Sequence, residues 1–210
     1  PRIRYVLNTL GTSIEFNRVS GYHIARGERV LVTHDDDIME PEMLAEQMAF
    51  MDAHPEVKLV WCNVTRIDHS GSPTEPDAGF SGQIRIFPPG AYIENFLTER
   101  LWPTPSTVLL ERGLVATRLA NRHYFQTSRR RWKASNADVG GMDDVEIPAF
   151  VNTRHTIAFI DRPLFRYRVH PAQGTNAVDL SKPSIYLYMT LRNHARRVQG
   201  KLIDEHLFDS

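Results

Sequence analysis

The run Val30-Leu31-Val32-Thr33-His34-Asp35-Asp36-Asp37-Ile38, with Pro41 and Met43-Leu44 behind it, constrains the fold more than any other part of the chain. The first four residues favour an extended segment, and Pro41 suits the first turn of a helix. Three contiguous carboxylates therefore fall on a strand-to-helix loop. In an open α/β sheet that loop lies at the carboxyl edge of the strands, where ligands bind. Hard oxygen ligands there suit Mg²⁺ or Mn²⁺, which take one or two carboxylates together with phosphate oxygens and water. Acids in a first helical turn are equally favoured by the helix dipole with no ion present. Taken alone, the residues leave both readings open.

Periodicity extends the alternation of strand and helix along the chain. Strands are predicted over 3–7, 30–33, 57–62 (continuing over 64–67), 107–110, 156–160 and 164–169, with a short edge strand over 83–87. Helices are predicted over 16–25 with Gly27 as the stop, and over 41–53, 92–100, 113–120, 143–152 and 184–207. In the 41–53 helix Met43, Leu44, Met48 and Met51 recur every three to four residues and read as core packing. Asp68-His69-Ser70-Gly71-Ser72-Pro73 is a turn cluster, 72–90 is a long surface connection, and 121–140 has little periodicity. Strands alternating with helices predict an α/β fold on a mostly parallel sheet. We find no internal repeat.

The 210 residues are 41% hydrophobic, enough for a sizeable core. Lys plus Arg and Asp plus Glu both number 25, so bulk charge makes no case for a nucleic-acid partner or an anionic membrane. Cys62 is the single cysteine, which excludes a disulfide framework or a cysteine-rich zinc site and points to a reducing compartment. No apolar run approaches the roughly 20 residues of a membrane span. We therefore expect a cytoplasmic location, with peripheral association at the inner face of a membrane left open. Because Pro1 leads almost directly into a strand-like stretch, we expect further residues upstream. No dinucleotide-binding glycine motif, phosphate-binding loop, nucleophile elbow, zinc-protease motif or EF-hand loop is present.

Three landmarks occur in an order that resembles the family-2 glycosyltransferases of the GT-A type. Asn17, Ala25, Gly27-Glu28, the strand and Asp35-Asp36-Asp37-Ile38 with Pro41 look like the nucleotide-sugar half of that family. Gly140-Gly141-Met142-Asp143-Asp144-Val145-Glu146 resembles the Glu-Asp element that opens its acceptor-side helix. Phe165-Arg166-Tyr167-Arg168-Val169-His170, followed by Thr175-Asn176, resembles its late Tyr-Arg-x-His segment. The resemblance spans about residues 3–176 and divides them into a nucleotide-sugar side, 1–70, and an acceptor side, 71–176. Residues 177–210 are left as a helical extension.

The resemblance implies a GT-A-like, Rossmann-like fold and a hexosyltransferase-like enzyme. Its donor would be a nucleotide diphosphate sugar, UDP-linked by preference, and its acceptor a hydroxyl on a glycan or a lipid-linked glycan. Asp35 and Asp37 would be the Asp-x-Asp metal ligands, holding Mn²⁺ or Mg²⁺ against the diphosphate, with Asp36 beside the nucleotide. In a second register, Asp-x-Asp-Asp, His34 takes the place of the first acid and Asp36 and Asp37 are the working pair. Asp144 would be the general base of an inverting transfer, and Asp143 stands where the family commonly has Glu. His170 would complete the metal shell or touch the diphosphate, and Arg168 would pair with phosphate. Without the resemblance, Asp143-Asp144 also reads as a favourable helix N-terminus, and Tyr167, Arg168 and His170 as a strand end.

Trp102, in Trp102-Pro103-Thr104-Pro105-Ser106-Thr107, is a candidate to stack on an acceptor sugar, or simply a packed loop tryptophan. The basic run Arg129-Arg130-Arg131-Trp132-Lys133 is a candidate grip on an anionic acceptor, or a solvated face. Two other functions share the fold class. A nucleotidyltransferase would make nucleotide-sugars, and a catalytically silent GT-A-like module would bind without turnover.

Overall fold

The segment Val57–Ile67 is apolar at nearly every position through its first six residues, the pattern of a strand covered on both faces. In the computed structural model of the protein it is a central strand. The structure describes residues 3–7, 21–75, 79–99, 101–114, 143–171 and 173. In chain order these form β1 (Arg29–Leu31), β2 (Ile38–Met39), α1 (Met43–Ala53), β3 (Val57–Ile67), β4 (Ile84–Phe87), α2 (Tyr92–Glu99), a 3-10 turn (Pro105–Thr107), β5 (Leu109–Glu111), α3 (Asp143–Asn152) and β6 (Thr156–Arg168).

The chain divides into two compact units, Pro1–Val30 with Glu111–Gly140, and Leu31–Leu110 with Gly141–Ser210. In the first, Arg112 ties back to the chain before β1: its backbone N–H donates to Glu28 O at 2.9 Å and its Nε–H to Gly27 O at 2.8 Å. In the second, β3 lies between β5 and β6, and β2 and β4 both pair with β6.

The sheet is mixed, which corrects the expectation of a mostly parallel one. β3 and β6 run parallel, whereas β2–β6, β4–β6 and β3–β5 are antiparallel. The short outer strands return beside the two long central ones. The strands expected over 156–160 and 164–169 are one strand, β6, with irregular register where Cys62 pairs with Ile160 and the next residue, Asn63, with Pro163. The bulge brings the Asp161 carboxylate to the Asn63 amide, whose Nδ2–H donates at 2.8 Å, and to Ser81, whose N–H and hydroxyl donate at 3.0 and 2.6 Å. Residues 79–83 of the long connection are thereby pinned beside β6. A bulge bends a strand without ending it.

Alternation along β3 and β6 separates two apolar layers. Val60, Cys62, Ala158 and Ile160 pack with Met43 and Met51 of α1. On the opposite side Trp61 stacks on Phe87 and Phe159, at 5.8 and 5.4 Å between ring centroids, and meets Tyr92 of α2 edge-on. Asn152, buried at the end of α3, organises this second layer. Its Nδ2 group donates to the carbonyls of Phe87, Pro88 and His155, and its Oδ1 accepts the Tyr92 N–H that begins α2.

Helices α1, α2 and α3 appear where periodicity predicts them, but α1 buries Met43, Gln47 and Met51 and leaves Leu44 and Met48 exposed. The inward face thus runs in steps of four rather than along the methionine pattern. Residues 3–7 form no strand and are exposed, Ile3 at 85%. Of the helix expected over 16–25, residues 21–24 are helical, with Ala25 N–H donating to Gly21 O at 3.0 Å. Residues 16–20, the helix expected over 184–207 and the basic run from Arg129 to Lys133 lie outside the described residues.

Candidate functional site

The acid run lies between two short strands rather than directly on a helix. It leaves β1 at Leu31 and re-enters the sheet at β2, and helix α1 follows only at Met43. Strand β2 fixes the end of the run, because Ile38 pairs with Arg166 and Met39 with Phe165, while Glu40 N–H donates to Leu164 O at 3.1 Å. Asp37 is thereby set beside the last residues of β6. Its Oδ1 accepts the Arg168 backbone N–H at 2.9 Å and its Oδ2 accepts the Ser106 hydroxyl at 3.2 Å. The side chain is 1% exposed.

Asp36 turns the other way. Its Oδ2 lies 3.2 Å from His170 Nε2, and its carbonyl accepts the Arg168 Nε–H at 2.8 Å. His34 Nδ1 comes within 4.0 Å of Asp37 Oδ2. His34, Asp36 and Asp37 each present one ligand atom, all within 4.8 Å of one another. Asp35 is exposed and lies outside this group. Of the two registers legible in the sequence, the gathered side chains are those of the Asp-x-Asp-Asp reading with His34 at its head.

Burial raises the Asp37 pKa; the Arg168 N–H pulls it back, the Asp36 charge raises it further, and the Ser106 hydroxyl and His34 lower it. A dry carboxylate beside a second carboxylate is a place that a cation would relieve. The donor set fits a divalent ion: an imidazole nitrogen with two carboxylates suits Mn²⁺, and the carboxylates alone suit Mg²⁺.

Arg168 is engaged with backbone. Besides Asp36 O, its guanidinium donates from Nη1 to the carbonyls of Asp68 and His69 at 2.8 and 3.0 Å, and Gln173 donates to the Arg168 carbonyl. It joins the acid run to the turn after β3, where Asp68 Oδ1 accepts from the N–H groups of Ser70 and Ser72. Gly71 closes that turn at φ +89°, a conformation glycine adopts without a Cβ clash. A phosphate contact by Arg168 would draw on its remaining N–H groups. His170 reaches the site through Asp36.

Asp143 and Asp144 are the first residues of α3, as the sequence predicts for the helix; the roles expected of their side chains stand as proposals. Trp102 is 50% exposed and meets Phe96 edge-on, 6.1 Å between centroids. Sequence reasoning missed Ser106, which joins the site from 69 positions away, and Gln47, whose Nε2–H holds the neighbouring Thr107 carbonyl at 2.7 Å. The local signal for Ser106 was the Pro-Thr-Pro-Ser-Thr punctuation before a strand.

No protein-family model matches the chain. The chain resembles the crystal structure of S. aureus TarS 1-349 in complex with UDP-GlcNAc, with a TM-score of 0.51 over 90% of this chain at 16% identity. The likeness is one of fold: a mixed α/β fold that resembles a GT-A-like glycosyltransferase. The chain spans 48% of that TarS chain. Over 80 residues, 38% of its length, it is also 30% identical to the uncharacterized protein y4gI of Sinorhizobium fredii (strain NBRC 101917 / NGR234), of which it covers 9%. Among the described residues no helix is long and apolar enough to cross a membrane.

Proposed function

We propose that this chain carries the catalytic domain of an inverting, metal-dependent glycosyltransferase of the family-2 type. It transfers a hexose-like sugar from a nucleotide diphosphate donor to a hydroxyl of a glycan or lipid-linked acceptor. The observation that carries this reading is the gathering of His34, Asp36 and Asp37 on one loop of a GT-A-like fold. The TarS structure holds UDP-GlcNAc, and we extend that donor class to this chain as the favoured one.

In this reading His34, Asp36 and Asp37 hold Mn²⁺ or Mg²⁺, with Asp35 and His170 at its margin. The bound ion supplies charge compensation for the departing nucleotide diphosphate. Arg168 keeps the acid run in place through its carbonyl contacts and offers a remaining N–H to phosphate. Asp144 accepts the proton of the acceptor hydroxyl as that oxygen bonds to the anomeric carbon and the bond from that carbon to the diphosphate oxygen breaks. Attack from the face opposite the leaving group inverts the configuration. Asp143 hydrogen-bonds the acceptor beside that base.

Calorimetric titration with UDP, with and without Mn²⁺, tests the donor site. We expect Mn²⁺-dependent binding that is lost in Asp37→Ala and kept in Asp144→Asn, with the latter variant losing transfer by about 10²-fold or more. Metal-independent binding, or binding unchanged in Asp37→Ala, would remove the basis for this site. Release of pyrophosphate from a nucleoside triphosphate and a sugar phosphate would identify a nucleotidyltransferase instead.

A further inference from the structure

A single hydroxyl touches both ends of the acid loop. Ser106 Oγ accepts the backbone N–H of His34 at 3.2 Å and donates to Asp37 Oδ2 at 3.2 Å. The direction of both bonds follows from chemistry. The His34 N–H can only donate, so it occupies a lone pair of the hydroxyl oxygen, and the one hydroxyl proton is left for the carboxylate, an acceptor when ionised. Ser106 itself is fully buried. The turn that carries it is tied down: Thr107 N–H and its hydroxyl both donate to Thr104 O, at 2.9 and 2.8 Å, and Gln47 of α1 holds the Thr107 carbonyl.

We infer that Ser106 is a positioning residue for the metal centre. It fixes the separation of two candidate ligands, His34 and Asp37, and orients the buried Asp37 carboxylate. The assignment rests on the metal reading proposed above. His34 and Asp37 lie on an irregular loop, where the backbone alone leaves their spacing loose. The hydroxyl closes that loop from its inner side, and the Arg168 N–H holds the other carboxylate oxygen. Asp37 is thus gripped on both oxygens by groups that do not themselves meet the ion. Such outer contacts orient ligands and set affinity, and their loss commonly weakens metal binding by about 10–100-fold.

A rigid spacing also discriminates between ions. Mg²⁺ demands short bonds and near-ideal angles, and Mn²⁺ takes bonds shorter than those of Ca²⁺, which accepts longer bonds and flexible geometry. Loosening the loop should therefore cost Mn²⁺ more than Ca²⁺. The test is direct titration of the 210-residue chain with Mn²⁺ and with Ca²⁺, in wild type, Ser106→Ala and Ser106→Thr, with the metal-free melting temperature of each. We expect Ser106→Ala to bind Mn²⁺ about 10–100-fold more weakly while Ca²⁺ affinity changes much less, and Ser106→Thr, which keeps the hydroxyl, to restore most of the Mn²⁺ affinity. Wild-type Mn²⁺ affinity in Ser106→Ala, or an equal loss for both ions, would overturn the assignment and leave Ser106 a purely structural residue. Failure of the wild type to bind Mn²⁺ would overturn the metal reading itself, an outcome visible without any variant.

Discussion

Asp37 is where burial and charge compete most directly. Its carboxylate is dry, one neighbour is another carboxylate, and two hydrogen bonds only partly offset the desolvation that raises its pKa. In the metal-free protein at neutral pH this arrangement costs stability, and an amide of the same shape would relieve it. We expect Asp37→Asn, in the presence of a chelator, to melt at or a few degrees above the wild type, on the scale of about 2–4 °C per kcal/mol for a chain of this size. Added Mn²⁺ should raise the wild-type melting temperature and leave the variant unmoved. A metal-free variant that melts well below the wild type would show that the ionised carboxylate stabilises the fold on its own. That this run forms a loop bearing clustered acids was legible from three contiguous aspartates after an apolar stretch. Which of them turn inward was not, because that depends on β2 re-entering the sheet against β6, and the punctuation around Ser106 marks a turn without saying that its hydroxyl meets Asp37, 69 positions away.

At the level of elements, the bulge in β6 supports the long connection before β4. Burial would raise the Asp161 pKa, but the Ser81 hydroxyl, the Asn63 amide and the Ser81 N–H outweigh it and hold the carboxyl below its usual range. A carboxylate depressed in the folded state contributes stability that is present above its unfolded pKa, about 3.9, and is lost as pH falls through the lower folded value. Asp161→Asn should therefore lower stability at neutral pH by about 1 kcal/mol, a value that allows for solvent screening at this half-open site. The gap between the two proteins should begin to close below about pH 4. Urea midpoints measured across pH 3–7 would check this, and a gap independent of pH would assign the effect to packing. Helices α1, α2 and α3 were legible because apolar residues run between turn residues that mark their ends, although only α2 keeps a clear one-sided stripe. The continuity of β6 was not, since Asp161-Arg162-Pro163 carries the composition of a break. The mixed sheet was hidden for a related reason, as alternating elements say nothing about the direction of strands as short as β2 and β5.

Across the whole molecule, Cys62 reports how tightly the larger compact unit is closed. It sits in the layer between α1 and the sheet, and burial pushes its thiol up to about 12. A thiol so placed reacts only when the core opens. We expect alkylation in native buffer at pH 8 to run on the order of 10³-fold or more slower than in urea. Rapid native labelling would mean that β3 and α1 separate far more easily than their packing implies. The likeness of fold to a GT-A-like glycosyltransferase was readable only from an ordered set of landmarks, each weak alone.

Strand β6 joins two tasks along one backbone. Near its start it pairs with β4 and, at Asp161, holds residues 79–83; at its end Arg168 touches Asp36, Asp37, Asp68 and His69. A strand carries side chains on alternate faces, so adding or deleting one residue between these points would turn Arg168 to the wrong side of the sheet. Substitution within that stretch is a matter of degree. Its length is not, and among related chains insertions should gather in the connections at either end of β6 and spare the seven-residue interval from Asp161 to Arg168.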